Sequence, residues 1–323
     1  MPAYSASAKV ICFIGKLRQR GRRISPDLGS LLQDFPKLRS IDTINIEDSG
    51  VNFTAAALEF ITEEIKVVDS ITVNSGILTL NVEQAGNNEL MAAMSSSNKI
   101  TVQDSSLNIN ENILNLLENS KITTIEATDD EEIRLSLTEL SSANLEKFSD
   151  SSKVILIDNG SLLSPALHEL VKDQNLSKID TITARDNLLT LTAEDAAVLG
   201  EKLTDTNDVI TLINTLVQSN QAIASNVFQS GNDKLQFSLA ELTGTGFQNY
   251  GLSGPETITS DQINIELVVA AGATASSTGA AFLFDTLTHV LSYDKDGDGG
   301  AVAVPLLTLN GVSTLSVDDF VIA

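Results

Sequence analysis

Seven times between residues 41 and 215 the chain runs through alternating β-branched residues into a polar turn. The segments are "IDTINIED" from Ile41, "VDSITVNSG" from Val68, "ITVQDSS" from Ile100, "ITTIEATDD" from Ile122, "VILIDNGS" from Val154, "IDTITARDN" from Ile179 and "VITLINT" from Val209. Alternation ended by Asp, Asn, Ser, Thr or Gly reads as a strand entering a turn. The segments begin 27, 32, 22, 32, 25 and 30 residues apart, so short and long units alternate. Periods of that size mark an array of supersecondary units, in which one unit cannot bury its own strand and neighbours must stack.

Between the strands lie helix-like stretches. In "LLTLTAEDAAVLGEKLTD" a second apolar strand from Leu188 leads to Thr192, with Asp195 three residues on and Ala196, Val198, Leu199 and Leu203 behind it. Thr192 and Asp195 approximate a capping box. "LNINENILNLLENSK" from Leu107 and "LSLTELSSANLEKFSDSSK" from Leu135 repeat the plan. Parallel strands joined by such crossovers predict an α/β repeat, a right-handed β/α solenoid of about seven strand-turn-helix units over residues 40–225, with the Ile, Val and Leu of each segment as core. Near residue 225 the texture shifts to Gly, Phe and turn residues. Residues 226–323 then read as a β-rich carboxy-terminal domain of short strands such as "INIELVVA" and "AFLFDTL".

Charge divides the chain as well. Residues 1–39 carry eight basic side chains against Asp27 and Asp34, a balance of +6, and the other 12 basic and 41 acidic residues give −29. The basic head reads as a solvated leader. A body so acidic repels phosphate backbones, which argues against nucleic acid as partner and favours calcium or a basic surface. The only cysteine, Cys12, excludes an intramolecular disulfide framework and a cysteine-rich zinc site. "AKVICFIGKLRQRGRR" places most of its charge after a five-residue apolar run, the reverse of a secretory signal peptide. No stretch reaches the ~20 apolar residues that span a bilayer.

Catalytic patterns are sparse. The two histidines, His168 and His289, lie far apart and outside any H-E-x-x-H zinc motif; the first reads as a helix-surface residue and the second as a hairpin residue. "TGTGFQNYG" near Gly244 has Asn249 where a dinucleotide-binding loop needs its third glycine. Paired carboxylates such as the "DDEE" from Asp129 read as solvated turns. Trp is absent and Tyr occurs three times, leaving few aromatic platforms for sugars or bases.

The remaining candidate is "LSYDKDGDGG" at residues 291–300, where Asp294, Asp296 and Asp298 alternate ahead of Gly299. Alternate carboxylates in a tight loop can aim several oxygens at one centre, as Ca²⁺ requires. A complete EF-hand is excluded, because Pro305 occupies the position of its bidentate Glu and the flanks are strand-like. What remains is a hairpin whose acidic turn binds calcium with incomplete protein ligation or only turns.

Over residues 226–323 the run "SGNDKLQFS…AAFLFDTLTHVLSYDKDGDGGAVAVPLLTLNGVSTLSVDDFVIA" resembles the carboxy-terminal module of RTX, or haemolysin-type, calcium-binding proteins. Leu291, Tyr293, Asp294, Asp296 and Gly297 match its L-x-Y-D-x-D-G hairpin. Leu309, Gly311, Leu315, Asp319, Phe320 and Ile322 match its closing segment, with Asn310 in place of a threonine. The resemblance implies export by the type I secretion machinery through an uncleaved signal, formed by Asp318 and Asp319 followed by Phe320, Val321 and Ile322. Tandem glycine-rich nonapeptides are missing; "SGNDKLQFS", with Gly231, Asp233 and Leu235, keeps one degraded copy. The repeat body is similar to the strand-helix repeats of large cyanobacterial surface and haemolysin-like proteins.

These features together lead to the expectation of a non-enzymatic secreted protein of the cell surface or extracellular matrix. It would be adhesive or self-assembling into homo-oligomers or filaments, influenced by Ca²⁺, and without a membrane span, with a cell-surface glycan or protein as a further partner. An extracellular carboxylate-based glycan hydrolase or toxin is the alternative.

Overall fold

Strands of the repeat region form where the sequence alternates, and they pair side by side in chain order. Ile100–Asp104 buries Ile100, Thr101 and Val102, and lies parallel to Leu78–Leu80 on one side (Leu78↔Ile100, Leu80↔Val102) and to Ile122–Ala127 on the other. A strand flanked in parallel on both edges tends to be covered on both faces, which suits the three buried β-branched residues that open it, before the polar Gln103 and Asp104. The computed structural model describes residues 9–13, 16–19, 22–24, 43–63, 66, 68–142, 144–172, 174–204, 207–216, 220–244, 257–259 and 263–323. The chain divides into two compact units, Met1–Val154 and Ile155–Ala323.

In the first unit, a five-stranded sheet runs in the order Arg22–Ile24, Lys16–Gln19, Lys9–Phe13, Thr43–Ser49, Ser70–Ser75. Its first three strands pair antiparallel; Lys9–Phe13 then lies parallel to Thr43–Ser49 (Ile11↔Asn45). These three strands are the described part of the expected leader, whose other residues lie outside the described ones. Leu78–Leu80, Ile100–Asp104 and Ile122–Ala127 make a separate three-stranded parallel sheet.

In the second unit, Thr181–Ala184 pairs in parallel with the strand that ends at Asp158 (Ile155↔Thr181). Leu188–Thr192, Val209–Asn214, Lys234–Phe237 and Phe320–Ile322 form a four-stranded parallel sheet. A mixed six-stranded sheet runs Gln221–Ile223, Val304–Leu309, Val290–Asp294, Ala281–Asp285, Asn264–Ala270, Thr257–Thr259. Strands from either side of residue 225 therefore interlock: Gln221–Ile223 pairs with Val304–Leu309, and Lys234–Phe237 with Val209–Asn214.

This arrangement corrects the expected right-handed β/α solenoid of about seven strand-turn-helix units. The chain is mixed α/β, its strands divided among several parallel and mixed sheets. Only four helices of seven residues or more occur among the described residues: Ala55–Glu63, Ser106–Glu118, Gly160–Leu170 and Ala193–Leu199. Local chemistry explains the shortfall. In "NVEQAGNNELMAAM" the Asn87 backbone closes the helix Val82–Gly86 while its side chain accepts from the Leu90 N–H to cap Asn88–Ala93, so one crossover is cut into two short turns.

Polar side chains tie each stretch to the one before it. Asp104 Oδ2 accepts the Val82 N–H (2.9 Å), Asp186 Oδ1 the Gly160 N–H (2.8 Å), Asp233 Oδ1 the Ile210 N–H (2.9 Å) and Asn98 Oδ1 the Val73 N–H (2.8 Å). In each pair the acceptor lies 22 to 26 residues after the donor. Lysines do the same for carbonyls. Lys121 Nζ donates to the Met91 and Met94 carbonyls at the end of Asn88–Ala93, and Lys147 Nζ to those of Leu117 (2.6 Å) and Asn119 (2.9 Å) at the end of Ser106–Glu118. The last carbonyls of a helix have no partner within it, and an ammonium also suits the negative end of its dipole. Burial holds the Lys147 ammonium below the ordinary lysine range.

Candidate functional site

The acidic loop begins where the strand Val290–Asp294 leaves its sheet. Asp294 is 6 % exposed, and its Oδ1 accepts the N–H groups of Asp296 (3.2 Å) and Gly297 (3.1 Å), folding the chain back on itself. Gly297 takes φ +64°, and a Cβ there would stand 2.0 Å from the Ser277 carbonyl oxygen and 2.3 Å from that of Gly279. Only glycine fits both the dihedral and the contact. The Asp298 N–H donates to the same Ser277 carbonyl (2.8 Å), so the loop rests against the backbone at 277–279.

Of the three aspartates, two are brought together. Burial, above all, and the carboxyl of Asp296 beside it raise the Asp294 pKa above the usual aspartate value. Asp296 Oδ2 accepts the Ala301 N–H (3.2 Å), whereas its Oδ1 is buried without a hydrogen-bond partner. Asp298 is exposed, and among the described residues no group of three His, Cys, Asp or Glu side chains is placed to hold a metal ion. Asp294 and Asp296 are thus the two carboxyls of the loop that lie beside each other, with Asp296 Oδ1 buried.

A raised folded-state pKa contributes stability below the unfolded value, and that contribution is lost as the pH rises through the folded value. Asp294→Asn keeps an oxygen for the Asp296 and Gly297 N–H groups and removes the buried charge. The variant is expected to match or exceed the wild type in melting temperature at pH 7, and to decline less between pH 4 and 7 in metal-free buffer. Thermal melts across that range test this, and an unchanged pH slope would show that Asp294 is not the titrating group. Asp233, raised for the same main reason and by the charge of Asp319, contributes a slope of the same sign.

The segment expected to act as a secretion signal is built into the carboxy-terminal unit. Phe320–Ile322 lies parallel to Lys234–Phe237 (Leu235↔Phe320, Phe237↔Ile322). The Phe320 ring sits 5.1 Å from Phe282 and 6.2 Å from Phe237, centroid to centroid. Asp319, fully buried, accepts from the Ser230 hydroxyl (2.6 Å), the Gly231 N–H (2.6 Å) and the Ser316 N–H (2.8 Å). Asp318 is exposed, and its carbonyl takes the Lys234 ammonium (2.8 Å). The single degraded nonapeptide, with Gly231 and Asp233, is the piece that receives this strand.

Both histidines have structural partners. His168, on the outside of Gly160–Leu170, holds Asp195 Oδ2 at 3.0 Å through Nδ1, and the same oxygen takes the Thr192 hydroxyl (2.7 Å). Thr192 caps the next helix by accepting the Asp195 N–H (3.0 Å), as the capping-box spacing predicts. His289 occupies a left-handed turn position, φ +58°, with Nδ1 2.7 Å from the Val312 carbonyl.

The sequence reading missed the 277–279 carbonyls and two polar clefts in the first unit that both include Asn81 and Glu83 in their walls, one with Gln84 and the other with Asp104. Asparagines ahead of short apolar runs, Asn81 and Asn87, were the clefts' one visible signal.

No protein-family model matches this chain, and no match was found among curated proteins or solved structures. No helix among the described residues is long and apolar enough to cross a membrane.

Proposed function

We propose that this chain is a secreted, non-enzymatic protein of the cell surface or extracellular matrix, adhesive or self-assembling, exported by a type I route and strengthened by calcium at residues 294–298. The observation that carries the calcium part is the Asp294–Asp296 pair with its orphaned, buried Oδ1. Two carboxylates this close repel each other unless a proton or cation offsets their charge. A Ca²⁺ at the open oxygen would do so, completing its shell with water, with an affinity in the weak extracellular range on the order of 10⁻⁴ to 10⁻³ M. Because the loop both ends Val290–Asp294 and rests on 277–279, fixing it would stiffen the six-stranded sheet.

Assembly is supported by edges. Phe320–Ile322 and Thr257–Thr259 each stand last in their sheets among the described residues. Edge strands present unpaired backbone groups to a neighbouring chain. Export is supported by the resemblance of residues 226–323 to type I substrates and by the position of Phe320, which would be readable only before folding buries it.

Sedimentation velocity of the full-length chain, from chelator to ~10 mM calcium, which spans the weak-site range, tests the reading. Growth of large species with calcium, absent from the Asp294→Asn/Asp296→Asn/Asp298→Asn variant, is the expected result. A monomer at every calcium concentration would overturn calcium-driven assembly.

A further inference from the structure

We infer that His168 is a proton-operated joint between the helices Gly160–Leu170 and Ala193–Leu199: when its second ring nitrogen gains a proton, it exchanges Lys172 for Glu169 and keeps Asp195. Its partners fix its resting form. Nδ1 lies 3.0 Å from Asp195 Oδ2 and 3.2 Å from Oδ1. That carboxylate serves as an acceptor, for Oδ2 also takes the Thr192 hydroxyl (2.7 Å) while the Thr192 oxygen is occupied by the Asp195 N–H (3.0 Å). Nδ1 must therefore carry the hydrogen. On the other side of the ring, Nε2 lies 3.2 Å from the Lys172 ammonium. An ammonium has donors only, so Nε2 must be bare. An acceptor at one nitrogen and a donor at the other leave the neutral imidazole a single tautomer, the Nδ1–H form.

That arrangement has no place for a second proton. A protonated Nε2 is a donor and would meet the Lys172 ammonium at 3.2 Å, two positive charges with no acceptor between them. Lys172 is the partner that yields. Its side chain is 56 % exposed and already holds Glu169 Oε1 (3.1 Å), whereas the ring is tied to Asp195, whose side chain is 6 % exposed. Glu169 Oε1 stands 3.9 Å from Nε2, within reach of the vacated place. The added proton thus replaces Lys172 by Glu169 and turns the neutral bond to Asp195 into a charge-assisted one.

Among the described residues, the charged groups against the ring are Asp195 from the next helix, Glu169 from its own, and Lys172 just beyond. The two carboxylates attract the added charge and the ammonium opposes it, so the outcome is a change of partner and the joint stays closed. Position gives the exchange its effect. His168 stands in the last turn of one helix and Asp195 in the first turn of the next. A cation suits the carboxy-terminal end of a helix and an anion the amino-terminal end, so the protonated joint agrees with both dipoles. In a chain of net charge −23, acidification also frees an ammonium on the surface, which lowers the repulsion that two approaching copies must overcome.

The joint does not depend on calcium or on assembly. Nitrogen-15 NMR of the full-length chain in chelator, labelled at histidine and lysine, tests it from about pH 8 to about pH 5.5, a range that spans histidine protonation and stops above the ordinary carboxylate range. His168→Gln and Lys172→Met identify the two resonances by difference, His289 being the only other histidine. At the upper end His168 is expected in the Nδ1–H form, with Nε2 as the bare, downfield nitrogen. On acidification the Lys172 side-chain signal should move in step with His168 protonation, and in His168→Gln it should stay flat over the same range. Three results would each overturn the proposal: an Nε2–H tautomer at the upper end, a Lys172 signal that ignores His168 protonation, or one that moves equally in His168→Gln. The first two are read on the wild-type chain and stand whether or not the glutamine variant folds.

Discussion

Asp319→Ala is expected to destabilise the carboxy-terminal unit by about 3 kcal/mol or more, the range for removing one side of a buried polar network. The carboxylate has no solvent contact and three donors converge on it, from Ser230, Gly231 and Ser316. Deleting it strands those donors in a site that water must enter to satisfy them. The damage spreads because Asp319 immediately precedes Phe320, whose ring packs on Phe282 and Phe237. Asp319→Asn keeps one oxygen and should lose roughly half as much, on the ordinary scale of about 1 kcal/mol per hydrogen bond. Urea unfolding of both variants, followed by near-ultraviolet signals from the aromatic cluster, measures the difference. A loss under about 1 kcal/mol for the alanine variant would mean that the last strand is not anchored as its contacts imply.

Strand positions were legible in the sequence because the pattern that marks them is local. Ile100 and Val102, Val154 and Leu156, and Ile210 and Leu212 stand at alternate positions in the sequence and are all buried. The alternating spacing was also a true signal, though of a different arrangement. Thr43–Ser49 and Ile100–Asp104 are single strands, whereas Ser70–Ser75 is followed past Gly76 by Leu78–Leu80, and Ile122–Ala127 past an acidic turn by Glu132–Leu135. The bend after Ser75 needs the positive φ of +77° at Gly76. Alternating single and doubled strands place the sheet breaks where a uniform unit has none.

The partition into sheets was not legible, since it depends on partners remote in the chain. Nothing near Lys234 announces that its strand will receive Phe320, and nothing near Gln221 announces Leu307. The acidic loop was half legible for the same reason. Its spacing marks a turn with convergent carboxylates, but which of them converge depends on the Ser277 and Gly279 carbonyls, more than ten residues upstream. Those carbonyls fix Gly297, the Gly297 N–H helps hold Asp294, and Asp298 is left outside. The Asn, Asp and Lys ties lie one stretch away from the groups they satisfy, so a single window shows a polar residue and not its purpose.

The same close stacking makes Gly160→Ala the most damaging small substitution expected in the second unit. A Cβ on Gly160 would stand 1.5 Å from the Leu188 carbonyl oxygen, a backbone atom that belongs to the strand Leu188–Thr192 and cannot rotate away. The Gly160 N–H is held at the same time by Asp186 Oδ1 (2.8 Å), so neither side can yield without breaking a tie between successive stretches. Overpacking of this kind costs about 3 kcal/mol or more where the backbone itself must shift. Gly50 stands in the same relation to Ile77 in the first unit, its Cβ position lying 2.0 Å from that carbonyl oxygen. Gly86 is the contrast, because nothing lies within 4 Å of its Cβ position and it ends the helix Val82–Gly86 with an ordinary negative φ. Gly86→Ala should stabilise by roughly 0.5–1 kcal/mol through helix propensity and a less flexible unfolded chain. Chemical unfolding of the two variants separates close approach from mere flexibility. If Gly160→Ala were as mild as Gly86→Ala, the strand beginning at Leu188 would have to sit farther from the helix Gly160–Leu170 than the contact at Gly160 requires.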